Sequence, residues 1–483
     1  MIGYSTRLCR TVFGQRIVVG RTSGLNPVRI TRFSTKLEGD NLDEDLADYN
    51  QAVMAQYNVS KVENDKEAPV SFEDVIRAFY RIQSGVIRTS CSYSTVLSEL
   101  SGCNVYLKRD MQQITGSFKE RGARNALLSL SEEEKRAGVI SASAGNHALA
   151  MAYHGKDLGV PVTVVMPNNA PITKVSRCRT FGANIILHGE HIGQARDYAY
   201  AEHPDLKYVN GYNDAEIVAG AGSMGIEILE QVPNVDVVVC PVGGAGLIAG
   251  LALAVKTLRP GVQVHGVEPA NCASYKAALE AGFPIDAFKA GTLADGLAVP
   301  VVGDISFDVA RRYVDDTHNV TEMNIAIAIL RLLEHEKAIC EGGGAAGVAA
   351  ILPGGPLFGK FPGKNVVIPL CGGNIDTTTL GRVIDRGLAA DSRLIRFGVI
   401  VSDRPGGIAS LTKIIADAGG SIKDIYHERA WTKTRMDEVS VRIVMETVDK
   451  DHADKVLSYV EEQGYQVEKT ASLYEDYTSE AST

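Results

Sequence analysis

The chain has 483 residues, of which 45% are hydrophobic and 22% are charged, and its net charge is −9. These values are close to the average for globular proteins, so they exclude a disordered or collagen-like chain, and the length predicts two to four structural units. The net negative charge and the 6% content of aromatic residues argue against a nucleic acid or an anionic membrane as a partner.

The first segment, residues 1–37, contains seven basic side chains, and the first acidic residue is Glu38. A start that is rich in Arg and hydroxyl residues and lacks acids is typical of an organelle transit peptide, with a disordered basic tail as the alternative. Apolar runs stay well short of the ~20 residues that span a bilayer. We therefore expect a mitochondrial matrix protein with a transit peptide over 1–37 and an N-terminal extension over 38–70.

Residues 71–390 alternate short β-branched runs with Ala-rich stretches of helical spacing. Most of these runs, such as 160–166 and 235–242, are apolar nearly throughout, which predicts strands that are buried on both faces of a parallel sheet. We expect an α/β catalytic domain with a large and a small subdomain, the small one spanning about 137–215. Ligands of such folds bind at the carboxyl ends of the strands.

The pattern changes over residues 391–472. Strands and helices there follow the order βαββαβ, which predicts a small ferredoxin-like α+β domain, and residues 473–483 form a polar tail. Eight cysteines are scattered along the chain without Cys-x-x-Cys pairs or zinc-like His spacing. We expect reduced thiols and no bound metal.

Four stretches are candidates for chemistry, and the first is Thr115-Gly-Ser-Phe-Lys-Glu-Arg-Gly-Ala123. Lys119 there follows an aromatic residue and lies among small ones. A Lys in a dry pocket has a lowered pKa and can form an imine, whereas an isolated Lys at a helix start is usually solvated. This stretch by itself leaves both interpretations open.

The second stretch, Ser141-Ala-Ser-Ala-Gly-Asn-His-Ala148, falls between a predicted strand and a predicted helix. Small residues at this place can direct backbone N–H groups at an anion such as a carboxylate, and Asn146 could bond a cofactor oxygen. The alternative is an ordinary helix cap by Ser143 or Asn146.

The third stretch, Val242-Gly-Gly-Ala-Gly-Leu247, also precedes a predicted helix, where its backbone could wrap a phosphate. Gly244, Gly246 and Ala249 match the dinucleotide fingerprint as well, and Glu268 ends the next strand. A nicotinamide-dependent oxidoreductase is therefore an alternative.

The fourth stretch, Leu370-Cys-Gly-Gly-Asn-Ile375, follows the predicted strand over 365–370. The thiol of Cys371 lies at the strand end, where it could bond a ring nitrogen. A buried structural cysteine is the alternative.

Taken together and in this order, the four stretches resemble the fold-type II pyridoxal-phosphate enzymes, and most closely their threonine/serine dehydratase branch. The resemblance covers about residues 75–390 and includes Thr292-Leu-Ala-Asp-Gly296. It implies pyridoxal 5′-phosphate as the cofactor. It also implies β-elimination of water from L-threonine or L-serine, which gives 2-oxobutanoate or pyruvate and ammonia.

The resemblance further implies a role for each site residue. Lys119 would hold the cofactor covalently and then act as the base at the substrate Cα, while Phe118 would pack on the pyridine ring. The other cofactor contacts would be Asn146 at the 3′ oxygen, Cys371 at the pyridine nitrogen, Glu341 near the active centre, and the N–H groups of Gly243, Gly244, Ala245, Gly246 and Leu247 around the phosphate. The substrate carboxylate would meet Ser143, Ala144, Gly145 and His147.

Three positions depart from patterns that are common in this family. Ala245 replaces a Gly of the phosphate loop, and because its N–H remains we expect little loss. Cys371 stands where many relatives have Ser, so the hydrogen bond is kept. Ala144 stands where serine racemases carry a base on the opposite face of the substrate, so efficient racemisation is not expected.

The C-terminal segment resembles an ACT domain, in which the first turn binds amino acids. The turn residues Asp403, Pro405, Gly406 and Gly407 would then form an effector site. ACT domains commonly pair edge to edge, so we expect a homodimer or homotetramer. The resemblance thus implies allosteric regulation by an amino acid such as isoleucine. The alternative is a domain that serves only for dimerisation. The pathway stays open between isoleucine biosynthesis and amino-acid breakdown.

Several other functions are compatible with parts of this pattern. A serine racemase or a dehydratase of hydroxylated acidic amino acids would have the same fold. More distant alternatives are the nicotinamide-dependent oxidoreductase and an amino-acid sensor with a decayed catalytic fold. The intact Lys119, Asn146 and glycine loop argue against decay.

Overall fold

The structure, a computed structural model, describes residues 68–429, 435 and 437–469. These residues belong to one compact unit, Glu63–Thr483. The predicted transit peptide (1–37), nearly all of the predicted extension (38–70) and the predicted tail (473–483) lie outside the described residues.

A six-stranded sheet forms the large subdomain, with the strand order β1-β2-β10-β7-β8-β9. Every neighbouring pair is parallel except β1 and β2, which are antiparallel at one edge. Its strands are β1 (Cys91–Ser94), β2 (Asn104–Lys108), β7 (Val237–Pro241), β8 (Gln263–Pro269), β9 (Asp316–Val320) and β10 (Asn365–Pro369). All five residues of β7 are buried, as expected for a parallel strand covered on both faces.

A second, four-stranded sheet forms the small subdomain, and all of its pairs are parallel in the order β5-β4-β3-β6. Its strands are β3 (Val139–Ala142), β4 (Val162–Met166), β5 (Asn184–Leu187) and β6 (Lys207–Tyr208). The two parallel sheets confirm the predicted α/β class with two subdomains.

Helices connect and cover the strands of both sheets. In chain order they are α1 (Phe72–Ile82), α2 (Thr95–Ser101), α3 (Lys119–Leu128), α4 (Glu132–Ala137), α5 (Asn146–Leu158), α6 (Ile172–Thr180), α7 (Ile192–Glu202), α8 (Ala215–Gln231), α9 (Gly246–Leu258), α10 (Ser274–Ala281), α11 (Asp304–Tyr313), α12 (Glu322–Glu336), α13 (Gly342–Ile351) and α14 (Thr377–Ala390). Their starts follow local chemistry: Asp214, for example, caps α8 by accepting hydrogen bonds from the N–H groups of Glu216 and Ile217.

Helices α8 and α9 pack against each other unusually closely. A Cβ at Gly250 of α9 would lie 2.1 Å from the carbonyl oxygen of Val218 in α8, so only glycine permits this approach. The contact fixes the start of α9, which carries the glycine-rich stretch over 242–247.

The C-terminal domain has the predicted βαββαβ order. Its antiparallel sheet has the strand order β12-β13-β11-β14, and two helices cover it. The elements are β11 (Leu394–Ser402), α15 (Gly407–Asp417), β12 (Ser421–Glu428), β13 (Glu438–Glu446), α16 (Lys450–Glu462) and β14 (Val467–Lys469). This domain has its own hydrophobic core, in which Phe397, Leu411, Val441 and Val456 are buried.

Two further predictions concern membranes and cysteines. Within the described ranges, every helix is too short or too polar to cross a bilayer. The seven cysteines of that part of the chain are all free, in agreement with the expected reduced thiols.

Candidate active site

The four stretches singled out in the sequence come together at the carboxyl ends of parallel strands. The second follows β3, the third follows β7 and the fourth follows β10, while Lys119 is the first residue of α3. This is the edge of an open α/β sheet at which ligands bind.

Lys119 is partly buried, and its amine lies inside the protein and donates a hydrogen bond to the carbonyl oxygen of Gly211. Its Nζ lies 5.1 Å from the ring centroid of Phe118. Burial lowers the pKa of Lys119 to about 8, although the neighbouring Cys371 and Glu341 act in the opposite direction. The amine is therefore much closer to its neutral, nucleophilic form than a surface lysine is.

The fourth stretch is tied directly to the first. The N–H of Phe118 donates to the carbonyl oxygen of Cys371 at 2.9 Å, and the Cys371 thiol donates to the carbonyl oxygen of Pro369 at 3.5 Å. Burial raises the pKa of this thiol well above its ordinary value. Cys371 is therefore a neutral thiol, which can donate a weak hydrogen bond but carries no charge.

Asn146 lies in a chain of amide and carboxyl groups. Its Nδ2 donates to Oε1 of Glu341 at 2.7 Å, and its Oδ1 accepts a hydrogen bond of 2.8 Å from Nδ2 of Asn374. The same Nδ2 of Asn374 donates to the carbonyl oxygen of Thr115 at 2.7 Å. These bonds fix the direction in which the Asn146 amide points.

Glu341 is the acidic group of the site. Its pKa is raised to about 7, first by burial and then by the nearby Asp295, whereas the hydrogen bond from Asn146 lowers it. Near neutral pH this carboxyl can therefore hold a proton or release one.

His147 is buried and uncharged, because burial, together with the charge of Lys119, lowers its pKa to about 3. Its Nε2 lies 3.2 Å from the carbonyl oxygen of Val209 and must carry the proton to bond it. Nδ1 is then an acceptor, and it has no hydrogen-bond partner within the described part of the chain. A carboxylate would thus be met by the backbone N–H of His147 and not by its ring.

The start of α5 leaves its backbone donors available. Its N-cap residue is Gly145, and among the described residues no side chain caps the first turn. Ser143 instead accepts a hydrogen bond of 3.3 Å from the N–H of Gly145. The alternative of an ordinary cap by Ser143 or Asn146 is therefore wrong, and Ala144 lies beside Ser143 and Gly145 in the same turn.

The glycine-rich stretch Gly243-Gly-Ala-Gly-Leu247 forms the N-terminal end of α9. Ala245 is the N-cap residue and has a left-handed conformation with φ of 67°. An L-residue in that conformation costs about 1–2 kcal/mol, which is a backbone cost separate from the retained N–H, and the expected small loss in phosphate binding stays a prediction. The ring of Tyr212 packs on this stretch: a Cβ at Gly244 would lie 2.3 Å from Tyr212 Cγ.

Three contributors to the site were not identified in the sequence. Asn374 belongs to the fourth stretch, and its position three residues after Cys371 is the feature of the sequence that could have indicated a place in the site. Gly211 and Tyr212 lie in a loop with no recognisable motif, so their contacts with Lys119 and the glycine-rich stretch appear only in three dimensions.

The predicted effector residues Asp403, Pro405, Gly406 and Gly407 lie in the turn between β11 and α15, in the C-terminal domain. The first three are exposed, and Asp403 accepts hydrogen bonds of 2.9–3.2 Å from the Arg429 guanidinium. Gly406 is the N-cap of α15 with φ of 98°.

Comparison with known proteins identifies the class that this fold and site define. A family model described as pyridoxal-phosphate dependent enzyme matches residues 82–372, and the ACT domain model matches residues 395–462. The chain belongs to the family of pyridoxal-phosphate-dependent enzymes and carries a C-terminal ACT domain. The predicted family, the predicted cofactor and the fold class are thereby confirmed, and the dinucleotide interpretation of the glycine-rich stretch is replaced.

Individual relatives have names that are more specific than the family description. The L-threonine ammonia-lyase of Thermotoga maritima is 40% identical over 400 residues, which are 82% of this chain and 99% of that protein. The processed form of threonine deaminase isoform 2 from Solanum lycopersicum has a TM-score of 0.60 and 31% identity, and it covers 76% of this chain and 98% of its own. Serine racemase from Dictyostelium discoideum has a TM-score of 0.60 and 33% identity over 64% of this chain and 100% of its own.

The residues of the site fit pyridoxal phosphate. The amine of Lys119 has a lowered pKa, which suits covalent attachment of the cofactor. A Cβ at Gly145 would meet no atom within 4 Å, so there is open space beside Gly145. The uncapped N-terminal ends of α5 and α9 suit two anionic groups. The roles of the individual residues stay predictions.

Proposed function

We propose that the chain is an L-threonine ammonia-lyase that also accepts L-serine. It eliminates water from the substrate and releases 2-oxobutanoate, or pyruvate from serine, together with ammonia. The observation that carries the proposal is the buried amine of Lys119, set between Phe118, Cys371 and Glu341. The 40% identity to an L-threonine ammonia-lyase over 82% of the chain supports the choice of substrate.

The cofactor would be held by Lys119, by Asn146, by Cys371 and by the backbone of residues 243–247. When bound, pyridoxal phosphate supplies a sink for the negative charge that develops at the substrate Cα. Cys371 is a thiol and not an acid, so it can bond a ring nitrogen without protonating it. The N-terminal end of α5 would orient the substrate carboxylate.

Lys119 moves the protons in this proposal. With a pKa of about 8, its Nζ is partly neutral at pH 7–8 and can accept the proton from the substrate Cα. The resulting ammonium can then donate that proton to the β-hydroxyl as the Cβ–O bond breaks, so that water leaves. The product is an enamine, which water hydrolyses to the 2-oxo acid and ammonia.

The test is release of 2-oxobutanoate from L-threonine by the full chain supplied with pyridoxal phosphate. We expect turnover in the wild type, no turnover above background in Lys119→Ala, and wild-type turnover in the control Lys413→Ala. Lys413 is suitable because its side chain is 75% exposed, whereas Lys119 is partly buried with its amine inside the protein. Binding of the cofactor without release of the 2-oxo acid would overturn the substrate assignment.

One observation favours a second function, serine racemisation: the similarity to the Dictyostelium discoideum enzyme. Inversion at Cα requires a second acid on the face away from Lys119, and at the position where the resemblance places it this chain has Ala144. Appearance of D-serine from L-serine at a rate comparable with pyruvate release would favour the racemase.

We also propose that the ACT domain binds an amino acid and assembles the chain into a dimer or tetramer. Strand β12 lies at a sheet edge, and Ile425 and Tyr426 on it are 41% and 55% exposed. An edge strand with exposed apolar side chains suits pairing with a second copy of the chain. We expect such pairing to cover the exposed turn that contains Asp403 as well. Ile425→Lys should lower the molecular mass of the assembly that is measured in solution. Phe358→Lys, which changes a 46% exposed residue of the catalytic domain, should leave that mass unchanged.

Binding of the effector has its own test. Titration calorimetry with L-isoleucine should give a heat of binding that Asp403→Ala weakens, because Asp403 is the acidic residue of the turn and pairs with Arg429 beside it. Absence of binding by L-isoleucine and by the other aliphatic amino acids would leave a purely structural role for the domain.

We propose, finally, that residues 1–37 direct the chain to the mitochondrial matrix. Support comes from the seven basic side chains that precede the first acid. A fluorescent protein fused to residues 1–37 should enter mitochondria, and a fusion in which the Arg residues are replaced by Gln should stay outside.

A further inference from the structure

Two histidines and a carboxylate meet at the end of the large sheet that lies opposite the active site. His265 is the third residue of β8, and it pairs in register with Asp316, the first residue of β9. His318 follows two residues later on β9, so its side chain points to the same face as that of Asp316. The active-site ends of β8 and β9 lie about 13 Å further along the strands.

Two of the three separations between the donor atoms of these residues match those between metal ligands. Nδ1 of His265 lies 3.1 Å from Nε2 of His318, which lies 3.3 Å from Oδ2 of Asp316. All three donor atoms lie within 4.8 Å of one another. Two ligands of a tetrahedral ion with bonds of about 2.05 Å are roughly 3.3 Å apart, so both short separations match edges of such a tetrahedron.

Hydrogen bonds alone satisfy this cluster poorly. If Nε2 of His318 carries a proton, that single proton must serve both the Asp316 carboxylate and Nδ1 of His265. If it carries none, its lone pair faces the carboxylate at 3.3 Å. A cation between the three atoms would receive all of their lone pairs at once.

The surroundings hold the His265 ring in place. His265 is 9% exposed and packs edge-on against Phe361, with 5.2 Å between the ring centroids. Its Nε2 is buried and has no hydrogen-bond partner in the described ranges. Asp316, in contrast, has a side chain that is 60% exposed, which gives an ion a path from solvent.

We propose that His265, Asp316 and His318 bind one divalent transition-metal ion, with zinc as the best match. Two imidazole nitrogens and one carboxylate oxygen are borderline ligands that zinc, cobalt and nickel accept, and the fourth position is open to water. The ion would join the edge strand β9 to β8. This site goes beyond the proposed function and is independent of it.

The test is a titration with Co²⁺, whose visible absorption reports its coordination. The untagged, full-length holoenzyme is first freed of metal with a chelator. We expect one Co²⁺ per chain, which Zn²⁺ displaces. His318→Gln should weaken the binding at least ~100-fold, more than loss of an outer partner does. His335→Gln, a histidine outside the cluster with a 33% exposed ring, should bind as the wild type does.

A second variant covers the case in which His318→Gln fails to fold. Asp316→Asn changes an exposed group and keeps an oxygen that can accept the hydrogen bond from the N–H of Thr317, so the variant should fold. It should nevertheless bind Co²⁺ more weakly than the wild type does. Zn²⁺ should raise the melting temperature of the wild type and leave that of Asp316→Asn nearly unchanged. No Co²⁺ binding by the wild type, or equal binding by wild type and variants, would overturn the proposal.

Discussion

At the scale of single residues, the chemistry of the site depends on two buried ionisable groups. Lys119 is pushed towards its neutral form and Glu341 is pushed towards its protonated form, in both cases mainly by burial. Each shift makes a measurable property of the cofactor-free protein depend on pH.

The first prediction concerns capture of the cofactor by Lys119. Only the neutral amine attacks an aldehyde, and with a pKa of about 8 its neutral fraction rises as the pH passes through that value. The rate at which the cofactor-free protein takes up pyridoxal phosphate, followed by absorbance, should therefore rise with pH and level off above 8. Glu341→Gln should move the midpoint down, because Glu341 raises the pKa of Lys119. A midpoint near the ordinary 10.5 would contradict the burial of the amine.

The second prediction concerns Glu341 and stability. Its pKa is about 7 in the folded chain and 4.5 ordinarily, so ionisation disfavours the folded state. The penalty is absent below pH 4.5 and grows to about 3 kcal/mol above pH 7. Glu341→Gln removes the charge and keeps the acceptor for Asn146.

The measurement is the melting temperature of the cofactor-free protein. Glu341→Gln should raise it by several degrees at pH 8 and by much less at pH 5. An equal rise at the two pH values would mean that the carboxyl does not titrate as its burial requires.

At the scale of elements, the glycine-rich stretch before α9 combines two backbone requirements. Gly244 needs to be glycine because the Tyr212 ring occupies the place of a Cβ, whereas Ala245 already carries a Cβ in a left-handed conformation. The same short stretch thus contains positions that exclude a side chain, such as Gly244, beside one that tolerates it.

The third prediction compares these two neighbours. Gly244→Ala forces a Cβ to 2.3 Å from Tyr212 Cγ, so it should destabilise the protein by about 1–3 kcal/mol and weaken binding of pyridoxal phosphate. Ala245→Gly relieves the left-handed strain but makes the unfolded chain more flexible, so it should be neutral or stabilise by up to about 1 kcal/mol. Melting temperatures and cofactor dissociation constants check both. A destabilising Ala245→Gly would contradict the strain at that residue.

The elements also show what the sequence could predict. The sequence predicts strands such as β7 to within two residues because buried parallel strands are apolar throughout, and it predicts α5 because small residues follow β3. The Lys119 stretch was recognisable because its pattern is local. The contact of Lys119 with Gly211 was not, since it joins residues 92 positions apart and the loop has no motif.

At the scale of the whole molecule, the catalytic and ACT domains have separate cores and are joined by charged groups. The Glu334 carboxylate at the end of α12 lies 2.6 Å from Arg393, just before β11, and 3.1 Å from Arg331. Arg331 also pairs with Asp391 at 2.7 Å. The backbone of Ser392 and Arg393 in turn accepts hydrogen bonds from Thr447, which follows β13. A movement of the ACT sheet would reach α12 through these contacts.

The last prediction follows from this connection and concerns regulation. Glu334→Gln leaves Arg393 without its strongest partner, so the amino acid effector should still bind but should change kcat/KM less than in the wild type. The effect should be measurable because a partly exposed ion pair contributes up to about 1 kcal/mol, which is a sizeable share of a coupling of roughly 1–3 kcal/mol. Activity without effector should stay within about twofold, since Glu334 lies outside the active site.

A matched control is the exposed pair between Lys423 of β12 and Asp385 of α14, at 2.8 Å, which spans the same two domains. Its side chains are 37% and 58% exposed, so water and salt screen the interaction and Lys423→Gln should leave the response to effector nearly unchanged. The measurement is the effector dose–response of kcat/KM for the two variants and the wild type. If both variants respond alike, the Glu334 cluster does not transmit the signal, and the contact of α14 with β11 becomes the connection that remains.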